Sequence, residues 1–77
     1  MDGQNKALLK LGENVRQKRS LIKISQEELA HRADLDRTYV GGIERGERNL
    51  TILSTLKLCG PLKCSLSDLV KGVSNES

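Results

Sequence analysis

An arginine, a threonine and a tyrosine stand in succession at Arg37, Thr38 and Tyr39, and Arg45, Arg48 and Asn49 follow within ten residues. These side chains are hydrogen-bond donors of graded reach. A guanidinium fork matches the two acceptors on the major-groove edge of guanine, and one such pair discriminates against another base by about 1 to 3 kcal/mol. A threonine meets a thymine methyl or a phosphate, and a tyrosine offers its ring to a sugar or its hydroxyl to a base, with partial burial of Tyr39 in the core as the alternative. Arginines further along a helix, or in the loop beyond it, meet phosphates, which position a protein without reading sequence. Gln26 opens a preceding helix where free amides point outward, a natural phosphate seat, and its side chain is also a candidate brace for Arg37. Such chemistry needs a rigid support that aims one helix end at a groove, so the flanking residues decide its value.

They provide that support. Ser25 is placed to accept from the Glu28 amide while the Glu28 carboxylate reaches back, with Ile24 and Leu29 as a hydrophobic staple, so a helix starts there. Its apolar face is Leu29, Ala30 and Ala33. Asp34 then tolerates the left-handed conformation that a helix end needs. Asp36 caps a second helix, Leu35 is placed to staple onto Val40, and Gly46 ends it. Val40 and Ile43 face inward, which leaves Arg37, Thr38, Tyr39, Gly41, Gly42 and Arg45 for the outer side or its edges.

The stretch from Ile24 to Gly46 resembles the helix-turn-helix of the Cro and phage-repressor family, with Gln26, Ala30, Leu35, Val40, Ile43 and Gly46 at the family's spacing. The run from Leu35 to Gly46 resembles the controller proteins of restriction-modification systems, and the likeness extends from about Leu8 to Val70. The resemblance implies an all-α fold, a compact five-helix, lambda-repressor-like DNA-binding domain whose helix-turn-helix is formed by helices two and three. It implies base contacts from Arg37, Thr38, Tyr39 and Gly42, and phosphate contacts from Gln26, Arg45, Arg48 and Asn49. Asp34 stands where the family has Gly or Asn, and Lys23 where a glycine often closes helix one. The Gly41–Gly42 pair inside the recognition helix costs about 1 kcal/mol per glycine in an exposed helix interior. Two readings of the pair stay open: a backbone brought closer to the groove floor, or tolerance by good packing.

Composition bounds the rest. Seventy-seven residues leave room for one domain, expected over 5–73 with flexible termini at 1–4 and 74–77, and for no effector-binding module. Aromatics make up only 1% of the chain, so the core must be built from Leu, Ile, Val and Ala. A core this small is marginal unless dimerisation adds to it. A net charge of +3 suits a nucleic-acid partner without requiring one. No segment is long or apolar enough to span a membrane, and the N-terminus lacks signal-peptide blocks, so a cytoplasmic location is expected. Cys59 and Cys64 match no zinc spacing and read as small apolar residues, and His31 reads as solvent-facing. No metal, cofactor or small-molecule ligand is expected.

Helix one begins between Asp2 and Asn5, runs to about Ser20, and carries Leu8, Leu11, Val15 and Ile22 on one stripe. Arg19 falls on that stripe and needs a partner, for which Glu44 beside Ile43 is the best candidate; the family resemblance implies the same pair. Thr51 caps a fourth helix carrying Ile52, Leu56 and Cys59, with an early end or a kink expected at Gly60 and Pro61. Ser65, Asp68, Cys64 and Leu69 start a short fifth helix. Leu53, Leu66, Leu69, Val70 and Val73, with Leu62, exceed what two short helices need for a core. The first five are therefore expected to line an isologous dimer interface.

The expected function is sequence-specific transcriptional regulation by a homodimer on a palindromic operator, with occupancy set by protein concentration. An enzyme is not expected, since no paired carboxylates, nucleophile with histidine base or glycine-rich phosphate loop is present. The competing reading is a helical protein-interaction module, antitoxin-like or adaptor, relying on the C-terminal leucines instead of Arg37.

Overall fold

The computed structural model describes residues 5–74, which form five helices and no strand among the described residues. They are α1 (Lys6–Leu21), α2 (Gln26–Ala33), α3 (Arg37–Glu44), α4 (Ile52–Leu62) and α5 (Leu66–Leu69). The expectation of flexible termini at 1–4 and 74–77 falls, apart from Ser74, outside the described residues.

Each helix starts at a side-chain cap. Asn5, Ser25, Asp36, Thr51 and Ser65 accept from amides of the first turn, supplying partners that a helix end lacks. The box at α5 is complete: Ser65 Oγ accepts from the Asp68 amide at 3.0 Å, and Asp68 accepts from the Ser65 amide at 3.1 Å. The bond from the Ser65 amide foremost, and then the Ser65 side chain, hold the Asp68 carboxyl below the usual carboxylate range. Its help to α5 is therefore complete at neutral pH and is lost as pH falls through that lowered value. At α2 only half of the expected box forms. Glu28 turns away from Ser25 and instead accepts from Arg32 Nε at 2.7 Å, one turn further along.

The turns between helices use left-handed residues. Asp34 (φ 58°, ψ 47°) closes α2, and the Leu35 amide bonds the Ala30 carbonyl at 2.9 Å. Lys23 and Lys63 adopt the same conformation after α1 and α4, without a glycine. Of the early end or kink expected near Gly60, the early end is not observed: α4 continues through Pro61 and ends at Leu62. The proline sits in the last turn, where it removes one amide bond, and the preceding Gly60 has no Cβ to collide with its ring.

Leu11, Val15, Leu29, Ala30, Ala33, Val40, Ile43, Leu58, Leu62 and Leu69 form one buried core. Helix α1 packs against α3, α4 and α5, while α2 packs against α3 and α4. Cys59 and Cys64 rest against this core as free thiols, and burial pushes the Cys64 thiol above its ordinary value, so Cys64 is not set up as a reactive thiolate. Within α4 the buried positions are Thr55, Leu58 and Leu62. Ile52 and Leu56, grouped with Cys59 in the sequence reading, point outward. Thr55 is what hid this phase, since a threonine whose hydroxyl bonds the Thr51 carbonyl at 2.8 Å can be buried without looking apolar.

Two contacts set how α3 is held. A Cβ at Gly12 would strike the carbonyl oxygens of Ile43 and Glu44, so α1 crosses the C-terminal end of α3 at backbone contact. Beside that crossing, Arg19 and Glu44 form the expected ion pair with both prongs made, Nε to Oε2 at 2.6 Å and Nη2 to Oε1 at 3.0 Å. Arg19 Nη1 donates to the Ile24 carbonyl at 2.9 Å, and Gln26 Nε2 donates to Glu44 Oε1 at 3.0 Å. The Glu44 side chain is 3% exposed and that of Arg19 17% exposed. The hydrogen bond to Glu44 raises the Arg19 pKa above the ordinary arginine value, against the opposing effect of burial. From the middle of α1, the buried Asn14 donates to the carbonyls of Leu69 and Lys71, both at 2.8 Å, tying the C-terminal segment to the bundle.

Removing one partner strands the other. Arg19→Ala is expected to lower stability by roughly 3 kcal/mol or more, because a buried Glu44 carboxylate loses its counter-charge; an unchanged melting midpoint would refute this. Asn14→Ala leaves two carbonyls unpaired and is expected to cost about 2 kcal/mol in a urea titration.

Candidate nucleic-acid interface

Arg37 and Thr38 open α3, and both are exposed. The Thr38 amide is held by Asp36 Oδ1 at 3.1 Å, which anchors the backbone and leaves the Thr38 side chain outward. Together with Gln26, Gly41 and Arg45 they line an open depression of about 240 Å³ between the start of α2 and the outer face of α3. Its lining holds two guanidinium groups and no carboxylate. The N-terminus of α2 borders it, adding the partial positive charge of a helix start. The arrangement favours an anionic ligand with hydrogen-bond acceptors, and it is shallow and open to solvent.

Among the described residues, no hydrogen bond or ion pair within the chain engages the guanidinium of Arg37 or Arg48. Arg45 is exposed and pairs with Glu47, Nε to Oε1 at 3.0 Å. Gln26 does not brace Arg37 as expected. Its amide is committed to Glu44, because that buried carboxylate is the stronger acceptor within reach.

Two further residues sit differently from their sequence-based placement. Tyr39 is half-buried against the core, and its hydroxyl donates to the Asn49 carbonyl at 3.0 Å, so its donor ties α3 to the following loop. Gly42 is buried, not part of the outer face, since the Arg48 side chain lies across it. Of the two open readings of the glycine pair, a close approach of bare backbone to a groove floor does not fit Gly42 in this arrangement. Asn49 itself is exposed in the loop between α3 and α4.

The exposed apolar surface differs from the expected interface. Leu53 is 72% exposed and Val70 is exposed, as expected of an uncovered face, but Leu69 is fully buried and belongs to the core. Leu66 is half-buried, and Val73 packs against the core. Ile52, 66% exposed, and Leu56 take their places beside Leu53 on the outer side of α4. Once Thr55, Leu58 and Leu62 face inward, the residues at 52, 53 and 56 must face out, but only the observed packing shows which stripe is inside.

Residues 15–69 match the helix-turn-helix family. The chain is 43% identical over 68 residues to the control protein C.SmaI of Serratia marcescens, covering 86% of this chain and 81% of that one. It is 42% identical over 67 residues to the control protein C.BamHI of Bacillus amyloliquefaciens, covering 86% and 83%. Among solved structures, the restriction-modification controller protein C.AhdI of Aeromonas hydrophila superposes with a TM-score of 0.79 at 44% identity, covering 80% of this chain and 94% of that one. The controller protein C.Esp1396I bound to a 25-base-pair operator site superposes with a TM-score of 0.77 at 34% identity, covering 87% and 92%. With five helices in place and this likeness running through α3, the chain belongs to the helix-turn-helix family and, within it, to the restriction-modification controller proteins.

Proposed function

We propose that this chain is a sequence-specific DNA-binding transcription regulator that acts as a homodimer on a two-fold-symmetric operator, with α3 in the major groove. The observation that carries the reading is the pair of exposed, unpartnered donors at the N-terminal end of α3, Arg37 and Thr38, beside a depression free of carboxylates. That end of a recognition helix is the one that meets base edges. Arg37 is assigned to a guanine, Thr38 to a neighbouring base or phosphate, and Gln26, Arg45, Arg48 and Asn49 to the backbone. Tyr39 is assigned to holding the loop that carries Arg48 and Asn49, given its bond to the Asn49 carbonyl.

The size of the chain supports a multiple complex. At about 3.4 Å per base pair, an operator of the relative's length is roughly 85 Å long, whereas the described residues measure 34 Å in their longest dimension. One copy spans less than half of such a site. Pairing through Ile52, Leu53 and Leu56 on α4, with Val70 at the edge, would supply the two recognition helices that half-sites about one helical turn, roughly 34 Å, apart require. Occupancy would then follow protein concentration through the dimerisation equilibrium, which suits a regulator of its own promoter. The same apolar face is what an adaptor or antitoxin-like module would use, and salt separates the two readings. Binding through phosphates falls log-linearly with salt, whereas an apolar protein interface hardly responds.

On a duplex selected from a random pool, Arg37→Ala is expected to lose about 1 to 3 kcal/mol of discrimination at one base position. Wild-type protein that ignores every duplex at low ionic strength would remove the reading. Sedimentation at tens of micromolar is expected to show a dimer, and Leu53→Glu a monomer. Burying one leucine is worth about 1.5 to 3 kcal/mol and is lost twice at a symmetric interface, a change of at least a hundredfold in the dimer constant.

A further inference from the structure

Helix α3 carries two consecutive glycines, the poorest helix formers after proline, in the one element whose geometry the function needs most. What surrounds each shows what it does. A Cβ built on Gly42 would lie 2.6 Å from Arg48 Cγ, 3.2 Å from Arg48 Nε and 3.4 Å from Arg48 Cδ. All three of its nearest neighbours therefore belong to one side chain, and that side chain starts in the loop after the helix. The contact involves the middle of the arginine, not its tip, so a methyl group could not be accommodated by a small swing of the head. Gly12 behaves in the opposite way, since its neighbours are backbone carbonyls and its role is helix packing. At Gly41 the nearest atoms are the tip of Arg45, Nη1 at 3.2 Å, and Gln26 Oε1 at 3.4 Å, both of which can give way.

We propose that Gly42 is a positioning residue for DNA binding: its bare backbone is the seat on which the Arg48 stem lies, and this seat aims the Arg48 guanidinium at a backbone phosphate beside the recognition helix. The inference deepens the operator-binding reading and rests on it. The stem of Arg48 lies across Gly42, and its head makes no hydrogen bond or ion pair with another described residue. A charged group whose stem is already immobilised loses less freedom when it meets a phosphate than one that must first be ordered. A helix that gives up stability at this position recovers it as binding.

The test compares wild type, Gly42→Ala, Arg48→Ala and the double variant by fluorescence anisotropy on the selected duplex at several salt concentrations, with thermal melts alongside. Arg48→Ala is expected to bind about a hundredfold more weakly, since each of the two copies loses one charge-assisted contact worth about tenfold, with the salt slope of the dimer reduced by about 1.8. Gly42→Ala is expected to show the same loss and the same change of slope, with the double variant no weaker than Arg48→Ala alone. Its melting temperature is expected to hold or rise, since alanine favours the helix. Should Gly42→Ala melt lower, adding Arg48→Ala must restore the midpoint, because the collision is with that side chain; no restoration overturns the seat. Wild-type affinity and slope in Gly42→Ala, or losses that add in the double variant, overturn the proposal as well. A wild type that binds no duplex overturns the operator reading and the phosphate role together, and it is seen before any variant is compared.

Discussion

Three helices meet at the Glu44 carboxylate. Arg19 reaches it from α1 with two prongs, Gln26 reaches it from the first position of α2, and Glu44 itself is the last residue of α3. Burying these charges costs much of what their attraction returns, so the network is better understood as fixing angles than as adding stability. A carboxylate 3% exposed tolerates few arrangements in which all its donors are satisfied. That restriction holds the start of α2 and the end of α3 in one relation, and the depression lined by Arg37, Thr38 and Arg45 inherits its shape from it.

Around that network the side chains divide by the distance of their heads from the core. Arg19 is spent on the interior, Arg32 and Arg45 are paired at the surface with Glu28 and Glu47, and Arg37 and Arg48 keep their heads unpaired among the described residues. Surface pairs such as Arg45–Glu47 contribute little to stability and are screened by salt, so Arg45 can exchange its carboxylate for a phosphate at small cost. The buried pair cannot exchange in this way. One residue type thus serves the interior, surface pairing and, in the proposed function, recognition, according to what its neighbours allow.

The two faces of the molecule serve different demands. The face built from α2 and α3 is polar and cationic, while the outer side of α4 exposes Ile52, Leu53 and Leu56 together. A short chain with a core of ten buried hydrophobic residues gains from covering such a patch. The proposed function joins these demands, because a symmetric operator needs two recognition helices at a fixed separation and a symmetric apolar contact would supply it.

Local signals were readable from the chain alone. Caps at Ser25, Asp36, Thr51 and Ser65, the left-handed Asp34, the inward Val40 and Ile43, and the stranded arginine at position 19 each follow from interactions within a few residues or from one unmatched charge on an apolar stripe. What tertiary structure alone decided were competitions between partners distant in sequence. Gln26 chose Glu44 over Arg37, Tyr39 turned its hydroxyl to Asn49, Arg48 covered Gly42, and Leu69 went inside while Ile52 and Leu56 stayed out. Periodicity names the apolar residues of a helix, but when polar Thr55 can be satisfied within its own turn, two stripes compete and packing against α2 and α5 selects one. A hydrogen-bond donor likewise takes the best acceptor that folding brings near it, and no spacing along the chain encodes which one that is.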